Sequence, residues 1–378
     1  MNYSIRMHFD IIKPMKTYPI KDVDKKRLMG RNVPEGICDD GAVRLFWAGS
    51  ALEICVKATE VWARISSNYI DQEIWLAVEI NGYQTARFIA PKKASYVCIA
   101  HNLNPEKENL ISIIKDTQPI PGDSLHELKI DAIALNDAGE FVPVKPHKIK
   151  IEFIGDSLTS GEGLAGKSDE MDWISQWFCG SKTYAAQIAK MLDADWSTVS
   201  QCGWGLSWGW DGDVSCSIPL YYGQVCGVLK SDSQMLHGTC NDYNFHGGSD
   251  FVVLNLGTND NSGFSCHDDG KGADGAAGKV IVSDVMKFLA EIRRLNPKAK
   301  IIWTWGMMKL NIVPALIKKG IEEYKKQSGD SFIYTLELES MDQIEKTEED
   351  KGSRGHPGLI THRHAANRIA DLIRKLSF

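Results

Sequence analysis

The stretch Ile151-Glu152-Phe153-Ile154-Gly155-Asp156-Ser157-Leu158 decides how this chain is read, because an apolar strand runs into Gly-Asp-Ser-Leu and then into a small-residue, helix-like segment. That order places Ser157 at a strand-to-helix turn. In an open α/β sheet the carboxyl ends of the strands are where ligands bind, and backbone N–H groups opening the helix point to the same spot. Taken alone, the turn could equally use Ser157 as a helix cap. Two further blocks favour chemistry. The apolar run 251–256 ends in Gly257-Thr258-Asn259-Asp260, and His356-Pro357 precedes the helix-like run 361–376. A serine, an asparagine and a histidine thus arrive in order, each next to a segment end.

Working outward, the chain changes character near residues 143–146. Before that point short β-like runs at 42–48, 52–59, 73–80, 83–89, 96–100, 110–115 and 128–135 are broken by turn signals. The clearest is 73–89, two alternating runs around Asn81-Gly82, a strong hairpin signal. An antiparallel β-sandwich is expected over residues 1–145. Over 146–378, strand-like runs at 148–154, 196–200, 251–256, 300–305 and 332–336 alternate with helical patterns at 182–192, 281–295, 313–327 and 361–376. That alternation predicts an α/β domain whose parallel sheet is covered on both faces.

Composition bounds the function. The 378 residues suit two domains, and 43% hydrophobic with 24% charged residues describes an ordinary globular chain with a large core. A net charge of −6 offers no basic footprint for nucleic acid. The opening Met1-Asn2-Tyr3-Ser4-Ile5 has no apolar leader, and no run of about 18 apolar residues could span a membrane, so the expectation is a cytoplasmic protein with no membrane partner. Nine cysteines without a CxxC pair fit reduced thiols better than disulfides or a zinc site.

The blocks around Ser157, Asn259 and His356 resemble the SGNH (GDSL-type) hydrolases over roughly residues 148–378. The resemblance implies a flavodoxin-like hydrolase fold, Ser157 as nucleophile, His356 as base, and no metal or organic cofactor. It also implies an oxyanion hole built from the backbone N–H of Ser157, the side-chain amide of Asn259 and a glycine in Cys202-Gly203-Trp204-Gly205-Leu206. Gly205 is favoured because the family's glycine follows a small residue by three, a place Cys202 takes here, and Gly203 stays open. His362 and His364 fall inside the last predicted helix and read as structural. With the sandwich in front, and with Trp303-Thr304-Trp305-Gly306-Met307-Met308 closing a strand, the chain resembles carbohydrate esterase family 2. Those enzymes are deacetylases of O-acetylated plant polysaccharides such as xylan and mannan, with an N-terminal jelly-roll domain.

That resemblance implies an acetylated oligosaccharide as substrate. Trp204, Trp208 and Trp210 follow a strand on the expected catalytic edge, and Trp204 and Trp305 are the candidates for stacking on sugar. One departure stands out: Ser353 occupies the position, three before the histidine, where these hydrolases commonly carry aspartate. Some members of the family resemble this in holding the histidine by a backbone carbonyl, and Asp350 and Glu349 are the nearby acids that could substitute. Two other readings are a GDSL lipase or acyl-thioesterase, which would need a continuous apolar groove, and a carbohydrate-binding protein whose second domain is inert.

Overall fold

A computed structural model describes residues 15–33, 36–38 and 40–377. The opening residues read above for a leader lie outside that range. Strands β1 (Met15–Pro19), β2 (Arg27–Met29), β3 (Val43–Arg44), β4 (Ala51–Lys57), β5 (Glu60–Asn68), β6 (Trp75–Ile80), β7 (Tyr83–Ile89), β8 (Ser95–His101), β9 (Asn109–Lys115), β10 (Glu127–Asn136) and β11 (Glu140–Val142) build two antiparallel sheets. One has the order β1-β10-β5-β8 with β3 beside β10, the other β11-β4-β9-β6-β7 with β2 beside β4. The predicted hairpin turns at Asn81 (φ 52°) and Gly82 (φ 84°), two successive left-handed residues, which matches the right-handed twist of the strands it joins.

Alternation sets the sandwich core. Val61, Ala63 and Ile65 of β5 face Leu52, Ile54 and Val56 of β4 and Ile111 and Ile113 of β9. Strand β5 is absent from the sequence reading, and the run expected at 42–48 pairs only at Val43–Arg44. Beyond Arg44 the chain leaves the sheet because Trp47 inserts toward the second domain, its Nε1 donating to the Val225 carbonyl at 2.7 Å. The opposite face of the second sheet is also covered. Ala51, Ala77 and Ile114 pack with Met29 against Tyr184 and Ala185 of the following domain, so these strands read as continuous apolar runs.

Strands β12 (Ile149–Gly155), β13 (Ala194–Ser200), β14 (Phe251–Asn255), β15 (Lys300–Trp305) and β16 (Ile333–Glu337) form a parallel sheet in the order β13-β12-β14-β15-β16. Helices α1 (Ser157–Ser160), α2 (Tyr184–Leu192), α3 (Asp232–Leu236), α4 (Thr258–Gly263), α5 (Ala276–Leu295), α6 (Val313–Ser328), α7 (Met341–Ile344) and α8 (Leu359–Leu376) connect and cover it. Helices α5 and α6 pack on one face, and α2 and α8 on the other. The chain leaves β12 for one neighbour and returns to the other, which makes the carboxyl ends of β12 and β14 the topological switch point, where such sheets bind ligands.

Strand β12, between β13 and β14, carries a buried carboxylate, Glu152, that the sandwich neutralises. Arg31 donates from Nε and Nη2 to Glu152 Oε1 at 3.0 and 2.8 Å, and its Nη1 donates to the Gln224 carbonyl at 2.8 Å. Tyr222 Oη donates to Glu152 Oε2 at 2.6 Å. The guanidinium lies 4.7 Å from the centres of both the Tyr222 and Tyr243 rings. Neither partner reaches solvent to any useful extent, so removing one strands a charge in the core. Arg31→Met is expected to cost about 3–5 kcal/mol of unfolding free energy, read by denaturant titration. A loss under about 1 kcal/mol would show that the pair does not anchor the two domains.

Candidate active site

Ser157 opens the single-turn helix α1 directly after β12. Asp156 caps the turn by accepting from the Leu158 N–H at 3.0 Å, and Gly161 at φ 85° ends it. As the first helical residue, Ser157 has a backbone N–H with no intrahelical acceptor. His356, on the loop before α8, places Nε2 2.9 Å from Ser157 Oγ. Its Nδ1 lies 3.2 Å from the Arg354 carbonyl oxygen. A proton on Nδ1 donated to that carbonyl leaves Nε2 free to accept from the serine hydroxyl. Arg354 sits at φ 57°, ψ 30°, and this left-handed turn aims its carbonyl at the imidazole.

Neither nearby acid takes the aspartate's place. Asp350 Oδ2 accepts from the Lys346 and Thr347 N–H groups, each at 3.0 Å, and caps its own turn, while Glu349 is exposed. Ser353 is fully buried against Gly166. A different carboxylate is present. Glu162, its side chain 2% exposed, accepts from Arg354 Nε at 2.8 Å through Oε1 and from the Cys202 thiol through Oε2, and Oε2 lies 3.4 Å from His356 Nε2. Burial and this neighbouring charge push the Cys202 thiol well above its ordinary range, so it stays a neutral donor. Glu162 went unread in the sequence, although a charge inside the small-residue run Thr159-Ser160-Gly161-Glu162-Gly163 was a visible anomaly.

The glycine loop corrects one expectation. Gly205 donates its N–H to the Cys216 carbonyl at 3.1 Å, so that group is taken up within the loop. Gly205 is small for another reason: a Cβ there would fall 2.5 Å from Asp260 Oδ2. Gly203, at φ 77° in the turn closed by Trp204 N–H to the Gln201 carbonyl, keeps an N–H without a hydrogen-bond acceptor among the described residues. Gly203, not Gly205, is thus the glycine of this loop whose N–H is uncommitted among the described residues. The loop is held from two sides. Gln118 of the sandwich domain accepts from the Cys202 N–H at 2.8 Å, and Asp260 accepts from Leu206 and Ser207 at 2.8 and 2.7 Å. Asn259 donates one amide hydrogen to the Trp204 carbonyl at 2.8 Å, leaving the second uncommitted.

The tryptophans also depart from expectation. Trp305 is 2% exposed and lies in the core beneath Lys318, whose Nζ is 5.0 Å from its ring centre. Trp303 and Trp305 share one face of β15, the face covered by α5 and α6, so neither presents a stacking surface. Trp204 is buried against Tyr221, with ring centres 5.1 Å apart. Of the three tryptophans in this loop it is Trp210 that reaches solvent, at 63% exposure, and its Cδ1 lies 3.0 Å from where a Gly203 Cβ would stand. His362 is buried and accepts from the Tyr184 N–H at 3.0 Å, and burial holds its imidazole down to about 3, so it is a neutral packing residue. His364 is partly exposed beside Glu339.

No protein-family model matches the chain. The fold matches that of an acetyl xylan esterase, Est2A, from the rumen bacterium Butyrivibrio proteoclasticus, with 31% identity, 96% of this chain and 99% of that one covered, and a TM-score of 0.87. A family two carbohydrate esterase from Clostridium thermocellum, solved in complex with cellohexaose, is 25% identical over 93% of this chain and 99% of its own, with a TM-score of 0.75. A curated relative, the cellulase/esterase CelE of Acetivibrio thermocellus, is 26% identical over 349 residues, which are 90% of this chain and 38% of that protein. The chain thus spans well under half the length of that relative. It belongs to carbohydrate esterase family 2, with the SGNH-type hydrolase fold.

Burial pushes Asp156 up to about 7 and Asp260 up to about 6, despite the N–H groups bonded to each. The native state therefore binds these protons more tightly than an unfolded chain with carboxyls near 3.9, so their contribution to stability is full below about pH 4 and is lost as pH rises through about 6–7. Asp260→Asn keeps one acceptor oxygen where two N–H groups need two. It should cost about 1–3 kcal/mol, flatten part of this pH dependence in thermal melts, and lower activity by loosening the glycine loop. Unchanged melting and turnover would show that Asp260 does not organise the loop.

Proposed function

We propose that the protein is a serine esterase that removes acetyl groups from O-acetylated plant oligosaccharides of the xylo- or manno-type through an acyl-enzyme. The observation that carries this reading is the 2.9 Å approach of His356 Nε2 to Ser157 Oγ at the carboxyl end of β12, beside the switch point of the sheet. Ser157 Oγ adds to the acetyl carbonyl carbon while its proton passes to Nε2, and the carbonyl electron pair moves onto oxygen. The donors proposed for that oxyanion are the N–H of Ser157, the N–H of Gly203 and the free amide hydrogen of Asn259. Collapse expels the sugar oxygen, which takes the proton from His356. Water, deprotonated by the same nitrogen, then releases acetate.

The substrate class rests on relatives: Est2A is an acetyl xylan esterase, and the Clostridium thermocellum enzyme was crystallised with a glucose oligomer. Exposed Trp210 beside Gly203 supplies an aromatic face where a sugar ring could lie. A reducing compartment is part of the proposal, since all nine cysteines are free.

Ser157→Ala should lower turnover on acetylated oligosaccharides by about 10³-fold or more with the melting curve unchanged. Near wild-type turnover would exclude a serine mechanism. Aryl acetates should be cleaved faster than aryl octanoates. A pocket that fitted the longer chain would instead gain about 0.8 kcal/mol per methylene, and a rate rising with chain length would favour a lipase or thioesterase. Trp210→Ala should raise KM for acetylated oligosaccharides about tenfold and leave hydrolysis of a small aryl acetate unaltered. Equal losses on both substrates would make Trp210 a packing residue.

A further inference from the structure

The charge missing from the aspartate position reappears on the other side of the imidazole. Glu162 lies five residues after Ser157 in the turn that follows α1, and it is almost wholly buried. Three groups face it: the Arg354 guanidinium at 2.8 Å, the Cys202 thiol, itself bonded by Trp173 Nε1 at 3.5 Å, and His356 Nε2 at 3.4 Å. We propose that Glu162 is the electrostatic partner of His356, stabilising the imidazolium that forms as Ser157 loses its proton. The proposal rests on the esterase reading above.

Charge sequence supports the assignment. In the resting site Nε2 carries a lone pair, and a carboxylate oxygen at 3.4 Å gains nothing from facing it. Once Nε2 takes the serine proton, that edge of the ring carries N⁺–H, and the same oxygen becomes an acceptor beside a full positive charge. An interaction favourable only after proton transfer lowers the barrier and leaves substrate affinity alone. A triad aspartate does the same from Nδ1, but here Nδ1 is engaged by the Arg354 carbonyl. Arg354 thus holds both elements, the imidazole through its carbonyl and the carboxylate through its guanidinium. Its left-handed backbone is the geometry that allows both contacts.

Shape and charge make opposite predictions for two substitutions. Glu162→Gln preserves length and loses charge, whereas Glu162→Asp preserves charge and shortens the arm. If charge is the function, kcat on an aryl acetate falls by about 10- to 100-fold in Glu162→Gln, less than the ~10⁴ of a triad aspartate because Arg354 offsets part of the charge. KM stays the same, Glu162→Asp retains more activity than Glu162→Gln, and the acid limb of the pH–kcat/KM profile moves to lower pH in Glu162→Gln. If Glu162 only packs the turn, Glu162→Gln is the better tolerated variant and the profile keeps its position, which overturns the proposal even when overall activity falls. Thermal melts run on both variants separate misfolding from lost charge, and the Asp-over-Gln order is read from whichever fraction is folded. Wild-type hydrolysis that Ser157→Ala abolishes, together with full activity in Glu162→Gln, overturns this inference alone, and a wild-type protein without hydrolysis overturns the esterase reading with it.

Discussion

The buried pair of Arg31 and Glu152 is the interaction on which the rest of the structure depends. Glu152 sits in the middle of β12, four residues before Asp156, where an unpaired carboxylate would be intolerable. Its counterion comes from the sandwich domain, threaded between Tyr222 and Tyr243. Such a pair adds little net stability over a hydrophobic substitute, but it permits one docking of the domains, because any other would leave both charges bare. The strand that leads into Ser157 is therefore fixed relative to the sandwich. Gln118 extends that dependence to the site itself, since it is a sandwich residue that accepts from the Cys202 N–H in the glycine loop.

Much of this architecture was legible in the chain. The parallel strands were read to within two residues, and β12, β14 and β15 stand out in the chain as apolar runs. The Asn81-Gly82 hairpin was read because its turn demands two left-handed residues. Strand β5 was missed even though Val61, Ala63 and Ile65 alternate cleanly, because the turn from β4 at Ala58-Thr59 carries no glycine, proline or asparagine to mark it. The stretch after Arg44 was overread as strand because its apolar residues serve the interface between domains, and periodicity alone does not separate an interface from a sheet.

The site divides the same way. Ser157, Asn259 and His356 each stand at the end of a regular element, and elements were what the sequence revealed; the structure brings Ser157 and His356 into contact and holds Asn259 on Trp204. The choice between Gly203 and Gly205 turned on which N–H lacks an acceptor, a matter of loop folding that spacing does not encode. The tryptophans misled for a related reason: Trp305 ends its strand, but helix α6 covers that end, so being last in a strand did not mean being exposed. Glu162 and Arg354 are far apart in sequence and meet only through the turn after α1 and the loop before α8. The histidine's setting is therefore a tertiary property.

The proposed hydrolysis is covalent chemistry at one oxygen, Ser157 Oγ. The direct measurement is intact-peptide mass spectrometry of the enzyme acid-quenched during turnover of acetylated xylo-oligosaccharide, with isotopically labelled acetyl as tracer. One labelled acetyl group is expected on the peptide containing Ser157, absent from the Ser157→Ala protein and chased away by continued incubation without substrate. Label on another residue, or rapid turnover of a His356→Ala protein through an acetylated intermediate, would contradict it.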